Sequence, residues 1–183
     1  LAPPQSQQLL LLRDEWQISP GTHWQTELAW SNLNANRFSE RDAADNQGMA
    51  LWTSFRKTIH PTASTEGWKV NTATQYEYKS RHFQALNPYR DPEFLRNWSL
   101  ADFSGRSQLK TAAEHLLQGS IELLHPDRGR LEYQLASFLR PDDFTGLKHQ
   151  LRVDYQQKAW LLRSNSSYLM ASTPEDERKF FRP

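Results

Sequence analysis

The chain has 183 residues, enough for one domain with a real core, and its 37% hydrophobic content is below the roughly 45–50% of an average globular protein. Its 22 Lys and Arg against 21 Asp and Glu give neither the basic surface of a nucleic-acid binder nor an acidic one suited to a basic partner. The lack of Cys excludes disulfides, thiolate metal sites and Cys nucleophiles, and no aliphatic run approaches the roughly 20 residues of a membrane helix.

Leu1 to Gln8, rich in Pro and Gln, reads as an irregular opening segment. A first strand is expected over Leu9 to Ile18, stopped by Ser19-Pro20-Gly21. The next runs from about His23 to Leu33, with Trp24, Thr26, Leu28 and Trp30 sharing one face. A polar loop, Asn34 to Gly48, leads to a strand over Met49 to Ile59 that ends at His60-Pro61. Trp68 to Phe83 then alternates Trp68, Val70, Thr72, Thr74, Tyr76 and Tyr78 with Lys69, Asn71, Gln75, Glu77 and Lys79. That is the period of a strand with one apolar and one polar face. Asn87-Pro88 and Asp91-Pro92 break the pattern, and Glu93 to Leu100 reads as a short strand.

Leu109 to Leu124 opens the second half with the same alternation, and it ends at His125-Pro126. Further strands are marked by Leu131, Tyr133, Leu135 and Leu139, by Leu147, Leu151, Val153 and Tyr155, and by Trp160, Leu162 and Tyr168. Glu175 to Phe181 reads as one helical turn. The whole is predicted to be all-β, a single domain of at least seven strands in an antiparallel meander, with helix limited to a turn or two. Leu109, Leu117, Ile121, Leu131, Leu135, Leu151 and Val153 belong on one face, with Lys110, Glu114, Glu122, Lys148 and Arg152 on the other. Trp68 to Phe83 and Leu109 to Leu124 each run 16 residues without Pro, where ordinary strands have about 5–6. Strands of that length point to a barrel or a large curved sheet. Ile59-His60-Pro61 and Leu124-His125-Pro126 repeat one phrase at two strand ends. A start at Leu1 without Met, and a stop at Phe180-Phe181-Arg182-Pro183, are what a processed product or an excised piece would show.

Catalytic signatures are missing from this pattern. No two of the seven Gly are closer than ten positions, so a dinucleotide fingerprint, a P-loop and a Gly-x-Ser-x-Gly elbow are all excluded. His23, His60, His82, His115, His125 and His149 show no His-x-x-x-His spacing. His60 and His125 precede Pro at strand ends and read as turn residues. His115 and His149 fall on apolar rows, where a hydrogen-bonded structural His is the simpler reading. Glu114 and Glu122 share a face, but eight residues of strand separate them by roughly 26 Å, too far for a joint acid–base role. The chain therefore reads as non-enzymatic, with no cofactor.

Two places gather residues able to recognise something. The loop Ser39 to Gly48 holds Glu40, Asp42, Asp45 and Asn46, and the oxygens of Asp42, Asp45 and Asn46 beside a Gly turn are candidate calcium ligands. The spacing is not that of an EF-hand, Arg41 lies among the acids, and a solvated hairpin loop explains the segment more simply. Pro88 to Trp98 packs Tyr89, Arg90, Asp91, Glu93, Phe94, Arg96 and Trp98 into one short stretch. Tyr89, Arg90, Arg96 and Trp98 are the candidate binding residues, a stacking patch for sugar or peptide. The structural reading of the same stretch is a corner, with Arg90 or Arg96 paired to Asp91 or Glu93 while Phe94 and Trp98 plug the sheet.

Ser31-Asn32-Leu33-Asn34-Ala35-Asn36-Arg37-Phe38-Ser39 leading to Asp45-Asn46-Gln47-Gly48, together with Asp91-Pro92-Glu93-Phe94-Leu95-Arg96-Asn97-Trp98, resembles segments of large cell-envelope β-proteins of Bacteroidetes-type bacteria. The resemblance implies an envelope location, in the periplasm or outer membrane, and carries no activity or catalytic residue. Three functions fit the pattern. The first is a non-enzymatic envelope segment serving as scaffold or binding surface. The second is part of an outer-membrane barrel, with its charged rows toward the lumen. The third is a soluble β-protein that binds carbohydrate or lipid. Partners would be other segments of a larger parent or envelope proteins, with a glycan or lipid as ligand and no nucleic acid.

Overall fold

The computed structural model describes residues 4–34, 45–61, 67–100, 111–141 and 143–183. They form nine strands and one helical turn: β1 (Ser6–Ser19), β2 (Thr22–Asn34), β3 (Gln47–Ile59), β4 (Lys69–Lys79), α1 (Phe94–Asn97), β5 (Glu114–His125), β6 (Gly129–Arg140), β7 (Phe144–Gln157), β8 (Trp160–Ser172) and β9 (Glu177–Arg182). All nine lie in one sheet in sequence order, each antiparallel to the next. The sheet is open, with β1 and β9 as its two edges and the expected meander as its topology.

Register divides the sheet into two faces. Leu12, Leu28, Leu51, Tyr78, His115 and Leu139 are successive cross-strand partners, and so are Leu123, Leu131 and Val153. Leu117, Ile121, Leu131, Leu135, Leu151 and Val153 share one face, and Glu114, Glu122, Lys148 and Arg152 share the other, as the alternation predicts. Leu109 and Lys110 lie outside the described residues.

Several boundaries differ from those read in the sequence. β1 begins at Ser6, inside the opening segment expected to be irregular. Its extension follows from pairing, because Ser6, Gln7 and Gln8 face Asn34, Leu33 and Asn32. β4 stops at Lys79 and β5 starts at Glu114, so neither reaches 16 residues. The chain leaves the sheet at Ser80, whose amide bonds Met49 O and whose Oγ accepts from Met49 N, both at 2.8 Å. Glu93 to Leu100 is not a strand. Asp91 Oδ1 accepts from Glu93 N at 2.7 Å, and the turn so started continues as α1. Glu175 to Phe181 is not helical either, because Glu177–Arg182 pairs with β8 as β9.

The connections differ at the two ends of the sheet. At one end are three tight turns, Pro20-Gly21, residues 126–128 and residues 158–159, and one longer connection, residues 60–68. Gly21 (φ 78°) and Gly129 (φ 106°) adopt the left-handed backbone that those turns need and that only Gly adopts without cost. His60 and His125, from the repeated phrase, line one hollow at this end, where β3 and β5 finish on either side of the start of β4. At the other end, residues 35–46 and 80–113 make the two longest connections, beside the short turns of residues 141–143 and 173–176.

The buried core is small, and it lies on the charged face. Leu116, Phe138, Phe144, Leu169 and Ala171 on that face enclose Trp98 and Leu100 from the β4–β5 connection. The apolar face is uncovered, with Leu10 67%, Leu117 49% and Ile121 54% exposed.

Candidate functional site: a strap across the charged face

Residues 80–100 cross the charged face at its long-connection end. At β1 and β2, Gln84 N donates to Ser31 Oγ at 3.0 Å and Gln7 Nε2 to Ala85 O at 3.4 Å. At β3 the backbone of His82 and Phe83 passes where a Cβ on Gly48 would stand. At β6 and β7, Trp98 stacks at 5.4 Å from Phe138, and its ring fills the space a Cβ on Gly146 would claim, 2.7 Å from Trp98 Cε3. Both glycines are on the charged face, so their missing side chains open the room the strap occupies. Ser99 takes a left-handed φ of 54° between buried Trp98 and Leu100. A conformation uncommon for Ser is held there because both neighbours are anchored.

Arg90 ties the middle of the strap to the sheet. Its Nη2 lies 2.6 Å from Glu77 Oε1 on β4 and 3.1 Å from Glu114 Oε2 on β5, and Lys79 Nζ is 3.0 Å from Glu114 Oε1. The guanidinium also stacks 4.1 Å from the Phe94 ring. Two carboxylates and two cations thus form one cluster, whose side chains are 13–22% exposed. Burial pushes the Glu77 carboxyl above its ordinary value of 4.5, the Arg90 charge pulls it back, and the neighbouring Glu114 adds to the rise. Tyr89 is pushed up to about 12, again chiefly by burial.

The rest of the charged face is a polar wall. Toward the tight turns, Thr58, Asn71, Glu122, Arg130, Glu132 and Arg152 link β3 to β7. Asn71 Nδ2 donates to Glu122 Oε2 at 2.7 Å, and Arg130 Nε lies 2.6 Å from Glu122 Oε1. Between this ladder and the strap, β4, β5 and β6 carry two rungs of uncharged side chains: Gln75 opposite Gln118 and Ala136, and Ala73 opposite Ser120 and Gln134.

The candidate binding residues divide. Arg90 and Trp98 fix the strap to the sheet; Tyr89 is half-exposed beside Arg90, and Arg96 is exposed and paired only with Glu93. Phe94 and Trp98 pack on the sheet as the corner reading requires, but Arg90 reaches across to Glu77 and Glu114 instead of pairing with Asp91 or Glu93. Of the candidate calcium ligands, Asp42 lies outside the described residues. Asn46 accepts a backbone bond from Leu33 N at 2.8 Å, and no cluster of three or more metal-binding side chains occurs among the described residues. His115 and His149 take Tyr partners, Tyr76 OH at 2.8 Å and Tyr133 OH at 2.7 Å.

Glu77, Gly48, Gly146, Phe138 and Phe144 are the site residues that motif reading passes over. A signal for them exists: Leu116, Phe138, Phe144 and Leu169 are large apolar residues on the charged row, all near the same end of their strands. Comparison with known protein families, curated proteins and solved structures finds no match to this chain.

Proposed function

We propose that this chain forms the wall of an outer-membrane-type β-barrel, with the apolar face toward lipid and the charged face toward an aqueous lumen. One observation carries the reading. The face left uncovered across the sheet is the Leu/Trp/Tyr face, whereas the strap and the buried core lie on the face bearing the ion pairs. A water-soluble sheet buries its apolar face and wets its polar one, and an uncovered apolar surface this extensive marks contact with lipid or a partner.

Three further features support it. Three pairs of polar groups on the apolar face satisfy one another, through the Tyr76–His115 and Tyr133–His149 bonds and Trp24 Nε1 donating to Thr53 Oγ1 at 2.8 Å. Hydrocarbon offers no water to do so, and each unpaired polar group there costs several kcal/mol. β1 to β8 have 11–14 residues, above the 9–11 or so that a tilted strand needs to cross a bilayer. The two longest connections, residues 35–46 and 80–113, leave from the same end, as the long loops of such barrels do. Among the described residues the acids and cations on the apolar face are Asp14, Lys57, Glu177 and Lys179, on β1, β3 and β9. No helix among the described residues is long and apolar enough to cross a membrane.

The reading puts the protein in the cell envelope with a non-enzymatic role, and lipid as its first partner. Leu135→Arg tests it. Leu135 is 39% exposed between Gly119 and His149 on the apolar face. In a bilayer the change costs up to about 2–4 kcal/mol, falling toward the interfaces, whereas at a water-facing position it stays within about 0.5 kcal/mol. Urea unfolding of the chain in phospholipid vesicles reads the difference. A detergent-free monomer with a cooperative melt, indifferent to Leu135→Arg, overturns the proposal in favour of a soluble envelope scaffold.

A further inference from the structure

We propose that the charged face is a path for small uncharged hydrophilic solutes, closed at its long-connection end by the strap of residues 80–100, with Arg90 as the latch. The inference rests on the barrel reading, which makes that face the lumen wall.

The strap's position argues for closure. It touches the wall at β1, β2 and β3 through Gln7, Ser31 and Gly48, at β4 and β5 through Glu77 and Glu114, and at β6 and β7 through Phe138 and Gly146. All of these contacts lie near one end of the sheet, so the segment runs across the strands and not along them. Water entering from that end meets the strap before it reaches the rungs below.

The latch is argued from the difference between the two halves of the strap. On the β6–β8 side, Trp98 and Leu100 are buried in an apolar cluster with Phe138 and Ala171, which are fully buried. On the β1–β4 side the fit is loose. A space of about 600 Å3 remains between the wall and residues 83–89, lined in part by Leu11, Ala50, Trp52, Leu86 and Tyr89. Leu86 is 57% exposed, and hydrogen bonds from Gln7 and to Ser31 hold that half. Arg90 stands between the fixed half and the loose one. Losing its two carboxylate partners frees residues 80–89 to swing while Trp98 stays anchored.

The solute class follows from the wall below the strap. Across β4, β5 and β6 the rungs of Ala73, Gln75, Gln118, Ser120, Gln134 and Ala136 hold no charge, and Gln118, Ser120 and Gln134 border a depression of about 200 Å3 with Ser54 and Arg56. Amides and hydroxyls exchange hydrogen bonds with a sugar or polyol as readily as water does. Arg56 on β3 and Lys148 on β7 flank the belt opposite Ala73 and Ala136, so a cation entering it leaves its hydration shell for neutral dipoles between like charges, and a salt cannot enter without its cation.

The chain reconstituted in phosphatidylcholine vesicles provides the test, with swelling in isosmotic arabinose compared with swelling in a gluconate salt. Insertion is checked first, by protection of the strands from protease. Wild type should swell slowly. Arg90→Ala should swell at least severalfold faster in arabinose, and much less in gluconate. The chain has no Cys of its own, so Ser31→Cys with Gln84→Cys gives a specific tether across the contact of Gln84 N with Ser31 Oγ. Added to Arg90→Ala, that pair should restore slow swelling when oxidised and fast swelling when reduced. Should Arg90→Ala fail to insert, Trp98→Ala frees the other end of the strap and is held to the same expectation. Inserted protein whose flux is unaffected by these variants overturns the latch, and equal rates for arabinose and gluconate overturn the solute class. A wild-type chain that does not insert overturns the barrel reading itself.

Discussion

Arg90→Ala should destabilise the seated strap in a strongly pH-dependent way, and the structure sets the size of the effect. The guanidinium is 17% exposed and faces Glu77 and Glu114, at 16% and 13% exposure. Removing one partner of a buried ion pair costs about 3–5 kcal/mol, because the other charge is left without compensation. Glu114 keeps Lys79 at 3.0 Å, so Glu77 is the stranded group and the lower end applies, about 3 kcal/mol at neutral pH. Loss of the stack on Phe94 adds about 0.5–1 kcal/mol. Burial already raises the Glu77 carboxyl above 4.5, and the variant removes the Arg90 charge that opposes the rise. The folded state then holds a proton on Glu77 that the unfolded state releases. Stability from that proton is fully present below the ordinary carboxylate value and is lost as pH rises through the raised one. The deficit of Arg90→Ala should therefore be small near pH 4, about 1 kcal/mol from the lost stack, and reach its full size near pH 7.5. Hydrogen exchange at the Gln84 and Ser80 amides, both bonded to the sheet, measures seating directly. An equal deficit at both pH values, or one below about 1 kcal/mol near neutrality, refutes a buried charge cluster as the strap's fastening.

The fixed half of the strap should answer to packing and not to pH. Gly146→Ala brings a methyl against the Trp98 and Phe144 rings, at 2.7 and 2.9 Å before relaxation, and should cost about 1–3 kcal/mol with a shift in near-ultraviolet circular dichroism. Phe138→Ala, at a fully buried ring touching Phe94, Trp98 and Phe144, should cost about 3–5 kcal/mol by urea unfolding. A loss under about 1 kcal/mol would show that the cluster is not a unit of stability.

The sheet was legible because its signal is local. Alternation of apolar and polar residues fixes which side chains share a face, and tight turns fix neighbours, so strand order follows without any long-range information. The strap was not legible in the same way, because its partners are distant in sequence and mixed in chemistry. Arg90 lies beside Asp91 and Glu93, so proximity favours a local pair, yet burial against β4 and β5 makes Glu77 and Glu114 its partners. Glu93 to Leu100 carries the aromatics of a strand, but Asp91 accepting from Glu93 N starts a turn that propensity alone does not weigh. At Glu175 to Phe181 the opposite happened. A segment with helical character was drawn into the sheet by the unpaired groups of β8, as tertiary context often overrides local preference.

The odd number of strands carries its own consequence for how such a wall closes. In an antiparallel meander every second strand runs the same way, so β1 and β9 are parallel in direction, and each has a neighbour on one side only. Within a bilayer an unpaired edge is not tolerated, since each exposed N–H and C=O in hydrocarbon costs several kcal/mol. Two solutions remain under the barrel reading: a parallel seam directly between β1 and β9, or an odd number of further strands between them that keeps every pair antiparallel. The apolar residues of the two edges bear on the seam. Leu9 and Leu11 on β1 and Phe180 on β9 are 36–56% exposed on the same face as the ion pairs, as is Leu161 on the stretch of β8 that β9 does not pair, at 60%; the other exposed large apolar residues of the interior strands fall on the opposite face. Under either solution these side chains become neighbours of the strand that closes the wall. Under the barrel reading the margins of the sheet are then contact surfaces as much as the strap's seat is, and on β1 Leu9 and Leu11 serve both, since they also border the space beneath the strap.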